Sequence, residues 1–187
     1  VSSGTNYFMS FNYLDDEGYS PNSGFERYTT RLKLAQDVTK WLKVNGNVSY
    51  VRTNTLNPTS TGSSSANIFY VAQVVAPIYP IYQHNLDGSL DLDKNGNKQY
   101  DFGDRDDMKR PVMPIANPAG TQVLNTENTA LDRINFTGGA TVSITSDLDL
   151  ILNLGVDNAQ TNRSRIDNNQ IGQYAETGGY IYKSSGV

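Results

Sequence analysis

The chain has 187 residues, with 37% hydrophobic and 18% charged residues and a formal net charge of −4, a balance that excludes the basic footprint of a nucleic-acid binder. It has no cysteine, which excludes disulfides and thiol catalysis, and no apolar run approaches the ~20 residues of a membrane-spanning helix. Twelve Tyr and sixteen Gly with so little charge favour an all-β chain.

Five stretches alternate apolar and polar residues, as strands with two different faces do. The first, near 5–14, sets Tyr7, Met9, Phe11 and Tyr13 against Asn6, Ser10 and Asn12. The second, near 26–37, sets Tyr28, Thr30, Leu32 and Leu34 against Arg27, Thr29, Arg31 and Lys33. The third, near 41–53, sets Leu42, Val44, Val48 and Tyr50 against Lys43, Asn45, Asn47 and Ser49. Only Phe8 and Val51 break the polar side. The connection from Asp37 to Lys40 reads as a tight turn, whereas Leu14 to Glu26 reads as a long one.

A loop of extraordinary length follows, from 53 to 130, and loops beyond ~12–15 residues are uncommon unless functional or disordered. Thr59 to Ser65 is a flexible polar tract. The apolar run from Asn67 to Ala76 suits a short helix ended by Pro77 and Pro80. Asp87-Gly88 and Asn95-Gly96 predict hairpin turns, with short strands from Ser89 to Asp93 and from Lys98 to Phe102. Pro111, Pro114 and Pro118 mark an irregular return. The fourth stretch, near 131–145, then sets Ile134, Phe136, Gly138, Ala140, Val142 and Ile144 against Asn135, Thr137, Gly139, Thr141 and Ser143. After a tight turn at Thr145 to Asp147, the fifth, near 148–159, sets Leu148, Leu150, Leu152, Leu154 and Val156 against Asp149, Asn153 and Asp157. The chain closes just beyond one more strand-like run.

Each stretch supplies about the ~9–11 residues of a transmembrane strand. Short turns alternate with long connections, as on the two sides of an outer-membrane barrel. On that reading strand one runs outward, and Tyr13, Tyr28 and Tyr50 form an outer aromatic girdle while Tyr7 and Trp41 mark the periplasmic rim. Five or six strands cannot close a barrel, so the chain is expected to be an internal fragment of a larger one, its missing strands satisfying the open sheet edges. The competing expectation is a soluble extracellular glycan-binding β-sandwich, which also alternates on a wet face.

Candidate chemistry is sparse. Asp91-Leu92-Asp93-Lys94-Asn95-Gly96 reproduces the opening of a calcium loop, but its twelfth position is Phe102 rather than Glu, so an Asn-Gly hairpin is the better reading. His84 stands without a second His or a Cys at ligand spacing. The carboxylates Asp101, Asp104, Asp106 and Asp107 are of the right type for glycoside hydrolysis, but a solvated charge run explains them. No nucleophile elbow, phosphate-binding Gly loop or zinc spacing occurs. Neither enzymatic activity nor a resident cofactor or metal is expected. Tyr70, Tyr79, Tyr82 and Tyr100 are candidates for stacking on a sugar ring or on one another. The residues expected to face a channel are Arg27, Arg31, Lys33, Asn45, Asn47, Thr141, Asn153 and Asp157.

Several runs in order carry a family resemblance. These are Asn6-Tyr7-Phe8-Met9-Ser10-Phe11-Asn12-Tyr13-Leu14-Asp15-Asp16-Glu17-Gly18, Phe25-Glu26-Arg27-Tyr28-Thr29-Thr30-Arg31-Leu32 and Thr39-Lys40-Trp41-Leu42-Lys43-Val44. Ala76-Pro77-Ile78-Tyr79-Pro80, Ala116-Asn117-Pro118, Gly178-Gly179 and Lys183-Ser184-Ser185 continue the series. Together they resemble the barrel of SusC-like TonB-dependent transporters. The resemblance implies part of a plugged barrel of about 22 strands in the outer membrane of Bacteroidota. It also implies a SusD-like surface lipoprotein as lid, energy from the TonB complex through a missing N-terminal part that includes the plug, and import of oligosaccharides or peptides.

Overall fold

The computed structural model describes residues 4–57, 67–103, 110–111, 116–169 and 178–187. They form an all-β architecture with two short helices: one antiparallel sheet of six strands, β1 (Thr5–Glu17), β2 (Gly24–Asp37), β3 (Leu42–Asn57), β4 (Thr126–Thr145), β5 (Leu148–Asp167) and β6 (Tyr180–Gly186), paired strictly in chain order. The tract Thr59 to Ser65 and the carboxylates Asp104, Asp106 and Asp107 lie outside the described residues.

Tight turns fix the order at one end. Between β2 and β3 the Val38 amide donates to the Leu42 carbonyl at 3.0 Å, while the Leu42 amide donates to the Thr39 hydroxyl at 3.0 Å. Between β4 and β5 the turn spans two residues, and the register shifts once, between Ser143 and Thr145, a local irregularity of the kind that increases strand twist.

At the other end strands β1 to β5 run past the point where their alternation stops. Asp15 pairs with Glu26 and Glu17 with Gly24, so the expected long connection from Leu14 to Glu26 shrinks to residues 18–23. Its fold depends on Gly18 donating to the Ser23 carbonyl at 2.9 Å and on Asn22 in the left-handed region at φ 53°. Strand β3 continues to Asn57, β4 begins at Thr126, and β5 continues to Asp167 rather than ending near Asn158. The hydrophobic period fades before the hydrogen-bond ladder does, because where both faces are polar nothing in the side chains marks the strand.

Register sorts the side chains. The rows Tyr7–Leu34–Gly46–Gly138–Leu154 and Met9–Leu32–Val48–Phe136–Val156 lie on one face, which we call outer, and Phe8–Lys33–Asn47–Thr137–Gly155 on the other, the inner face. The outer face stays open: Leu150 is 46% exposed, Leu152 55% and Leu154 63%. Among the described residues the buried hydrophobic side chains are Ile68, Val71, Phe102 and Ala116, all in the long connection between β3 and β4. The sheet therefore has no apolar core of its own, and the packed centre of the described chain is in that loop.

Candidate functional site

All eight residues expected to face a channel, Arg27, Arg31, Lys33, Asn45, Asn47, Thr141, Asn153 and Asp157, fall on the inner face. Asn45 and Asn153 approach Gly139 from its two neighbouring strands. A Cβ on Gly139 would sit 2.9 Å from the Asn153 oxygen and 3.0 Å from the Asn45 oxygen, so a larger residue there would have to displace these amides. Charges higher on this face are paired, two of the pairs across strands β4 and β5 and one along β5. Arg133 Nε donates to Asp157 at 3.0 Å, Arg163 reaches Glu127, and Arg165 holds Asp167 at 2.9 Å.

The outer face is apolar only over a band. From Leu42 to Tyr50, from Ile144 back to Ile134 and from Leu148 to Val156 the even-numbered positions are apolar or small, and beyond them come Arg52, Asn54, Asp132, Asn158, Gln160 and Asn162. Tyrosines stand at the boundary. Tyr13 and Tyr28 are register partners with ring centroids 4.8 Å apart. Tyr50 donates its hydroxyl to Asp132, which also lies 3.8 Å from Arg52. Tyr7 and Trp41 lie at the opposite end, 81% and 54% exposed. The apolar band thus runs across β1 to β5, with aromatic rings at its edges on β1, β2 and β3.

The connection between β3 and β4 forms a packed platform. Its first helix, α1 (Ile68–Val74), is capped by the Asn67 side chain, which accepts from the amides of Phe69 and Tyr70, and it ends at Val75, ahead of the two prolines. A second helix, α2 (Pro118–Leu124), replaces the irregular return expected at Pro118. The signal for it was present: Asn117 is an N-cap whose side chain accepts from Gly120 at 3.0 Å, and Pro118 stands where a helix tolerates a missing N–H.

Between the helices three short segments close on one another. Gln83 donates to the Gln99 carbonyl, Asp91 to Gln83 and Gln99 to Asp91, at 2.8, 2.9 and 3.4 Å. These residues recur every eight positions. Isolated bridges join Tyr82 to Tyr100, His84 to Leu90 and Leu92 to Lys98, so single pairings stand where longer strands were expected. The turns hold Gly88 and Gly96 at φ 85° and 83°, a conformation only glycine adopts without strain.

Of the possible calcium ligands, the Asp93 side chain serves the turn. The Asp93 carboxylate accepts the amides of Asn97 and Asn95, both at 2.8 Å, and the Asn97 side chain at 3.1 Å. Those bonds, Asn97 first, hold its carboxyl below the usual range. Among the described residues no group of three or more His, Cys, Asp or Glu side chains is placed to hold a metal. His84 Nδ1 lies 2.8 Å from the Tyr82 carbonyl.

The tyrosines pack on their own surroundings. Tyr82 and Tyr100 lie 5.3 Å apart, Lys98 covers the Tyr82 ring at 5.0 Å, and the Arg110 guanidinium covers Tyr79 at 4.5 Å. Burial, then the neighbouring Tyr82, pushes the Tyr100 hydroxyl above its ordinary range. Arg110 joins the parts, its side chain only 4% exposed: it donates to the carbonyls of Ala116 and Asp101 at 2.8 Å and pairs with the Asp101 carboxylate at 2.8 Å. Asp101 also accepts the Gly103 amide at 2.8 Å, so this member of the acidic run has a structural partner on each side. Asn117 donates to the carbonyls of Ile81 and Asp101 at 2.8 and 2.9 Å. The platform reaches the β1–β2 connection through Asn22, which donates to the Gln122 carbonyl at 2.9 Å, and through Gln122, which donates to Pro21.

A scan against protein-family models finds no match, and a search of curated proteins finds none.

Proposed function

We propose that the chain is a segment of a large transmembrane β-barrel in a bacterial outer membrane, an importer of the SusC-like, TonB-dependent kind. The outer face meets lipid, the inner face lines a plugged lumen, and the platform between β3 and β4 stands at the extracellular mouth. The observation that carries this reading is the bounded apolar band with its tyrosine edge, on a face otherwise left open. A soluble domain rarely exposes a contiguous apolar patch beyond a few hundred Å², whereas a barrel wall requires one. The two open sheet edges, β1 and β6, call for further strands, since unpaired backbone groups in lipid cost several kcal/mol each. In this reading the cargo is an oligosaccharide or peptide, a SusD-like lipoprotein covers the mouth, and TonB supplies energy through parts outside this sequence.

This segment has no cysteine to compete for the label, and any cysteine elsewhere in the full-length protein is first replaced by serine. A fluorophore is attached at a single cysteine introduced at Leu152, Asn153, Leu154 or Asp157, in the full-length protein reconstituted into vesicles of brominated lipid. Quenching at 152 and 154 but not at 153 and 157 is expected. Equal quenching at all four, or a protein that stays in the aqueous phase without detergent, overturns the proposal.

A further inference from the structure

Arg27, Arg31 and Lys33 follow one another on the inner face of β2. The other arginines of that face, Arg133, Arg163 and Arg165, are each paired with a carboxylate. Among the described residues no carboxylate lies within ion-pair distance of Arg31 or Lys33. In register, Arg31 sits between Ser10 and Ser49, and Lys33 between Phe8 and Asn47. The two cations are two residues apart, roughly 7 Å along the strand, so two positive charges are held close together among uncharged neighbours. Such an arrangement is self-repelling unless an anion joins it.

Lys33 also lines a concavity of about 430 Å³ together with Asn6, Phe8, Asn45, Asn47 and Thr137. Phe8 interrupts the polar side of β1 and is 51% exposed. The Asn47 side chain donates to Thr137 at 3.4 Å, while its buried oxygen accepts nothing from the described residues. The concavity therefore offers an aromatic side chain, a row of amides and the Lys33 cation, with Arg31 two residues along the strand beyond its lining. A pyranose has a matching set of groups: a C–H face that packs on an aromatic ring, hydroxyls that bond to amides, and, when it is acidic, an anionic group for Lys33 and Arg31.

We propose that this concavity is a subsite for an acidic sugar, one bearing a carboxylate or sulfate. The proposal rests on the reading of the inner face as a transport lumen and narrows the cargo to anionic glycans. An acidic protein surface packed against the same wall would meet the cations but has no need of the exposed ring.

The test uses the full-length protein in detergent, with tetragalacturonate, its fully methyl-esterified form and a sulfated tetrasaccharide as titrants. The acidic titrants are expected to bind at least tenfold more tightly than the ester, and the preference is expected to weaken with salt. The double variant Arg31→Gln/Lys33→Gln should abolish the preference, and Phe8→Ala should weaken acid and ester alike. Binding of the uronate but not the sulfate, or the reverse, identifies the anion. Equal affinity for acid and ester, no binding of any titrant, or an acid preference that survives the double variant overturns the proposal. So does a double variant that lowers the melting temperature without changing sugar preference, because the cations then hold an acidic part of the protein. Lipid quenching on the same preparation separates the outcomes: failure there removes the lumen itself, whereas success there with no acid preference removes only the subsite.

Discussion

Individual side chains decide whether the platform between β3 and β4 holds its shape. Arg110 is buried against Asp101, Ala116 and the Tyr79 ring, and removing one member of a buried pair leaves a charge without compensation. Arg110→Gln should cost the platform about 3–5 kcal/mol, seen as faster amide exchange around Gly103 and Asn117 with the strand amides unchanged. A Cβ on Gly120 would lie 2.5 Å from Phe102 Cζ and 2.9 Å from Tyr100. Gly120→Ala should therefore destabilise by roughly 1–3 kcal/mol, and Phe102→Leu in the same chain should recover part of that loss in thermal denaturation. Neither role was legible in the sequence. Arg110 and Gly120 belong to no motif, and their importance comes from contacts across many residues of chain that no local pattern records. Asn117 is legible as an N-cap ahead of Pro118, but its second role is not: the same side chain donates to the carbonyls of Ile81 and Asp101.

Among the elements, those with a local cause were readable and those without one were not. The hairpin turns at Gly88 and Gly96 followed from Asp-Gly and Asn-Gly, and α1 from its apolar run. The start of α2 was missed because three prolines suggested irregular chain, although Asn-Pro is also how a helix begins. The turns carry a pH signature. Asp87 is held low by the Ser89 hydroxyl and then by its amide, and Asp93 by Asn97 and then Asn95. A carboxyl lowered in the folded state adds stability above its unfolded value of about 3.9, lost as pH falls through the lower folded value. Amide exchange at Ser89, Asn95 and Asn97 should accordingly be constant from pH 8 to about pH 5 after correction for intrinsic rates, and accelerate below about pH 4. Asp93→Asn should remove most of that dependence at Asn95 and Asn97.

For the molecule as a whole, a sheet with one face wet and the other apolar places unequal demands on its two sides. Leu152→Arg sets a charge in the middle of the apolar band and should cost about 2–4 kcal/mol in refolding into lipid vesicles. Thr141→Arg, on the inner face of the neighbouring strand, should cost little in the same titration. The faces themselves were readable residue by residue, and so were the tyrosines that bound them. The lengths of the strands were not, because past Tyr13, Tyr50, Ile134 and Val156 the chain no longer distinguishes its two sides while backbone pairing continues.

That continuation bears on how the sequence is free to vary. In the proposed barrel every second residue from Leu148 to Val156 answers to a different solvent, but from Asn158 to Ser164 both sides of β5 carry polar groups, with Asn158, Gln160 and Asn162 on one and Thr161 and Arg163 on the other. A saturation scan of β5 should therefore beat with a two-residue rhythm along its first half, charges rejected at even positions and accepted at odd ones. The rhythm should then fall silent over a strand that is structurally uninterrupted.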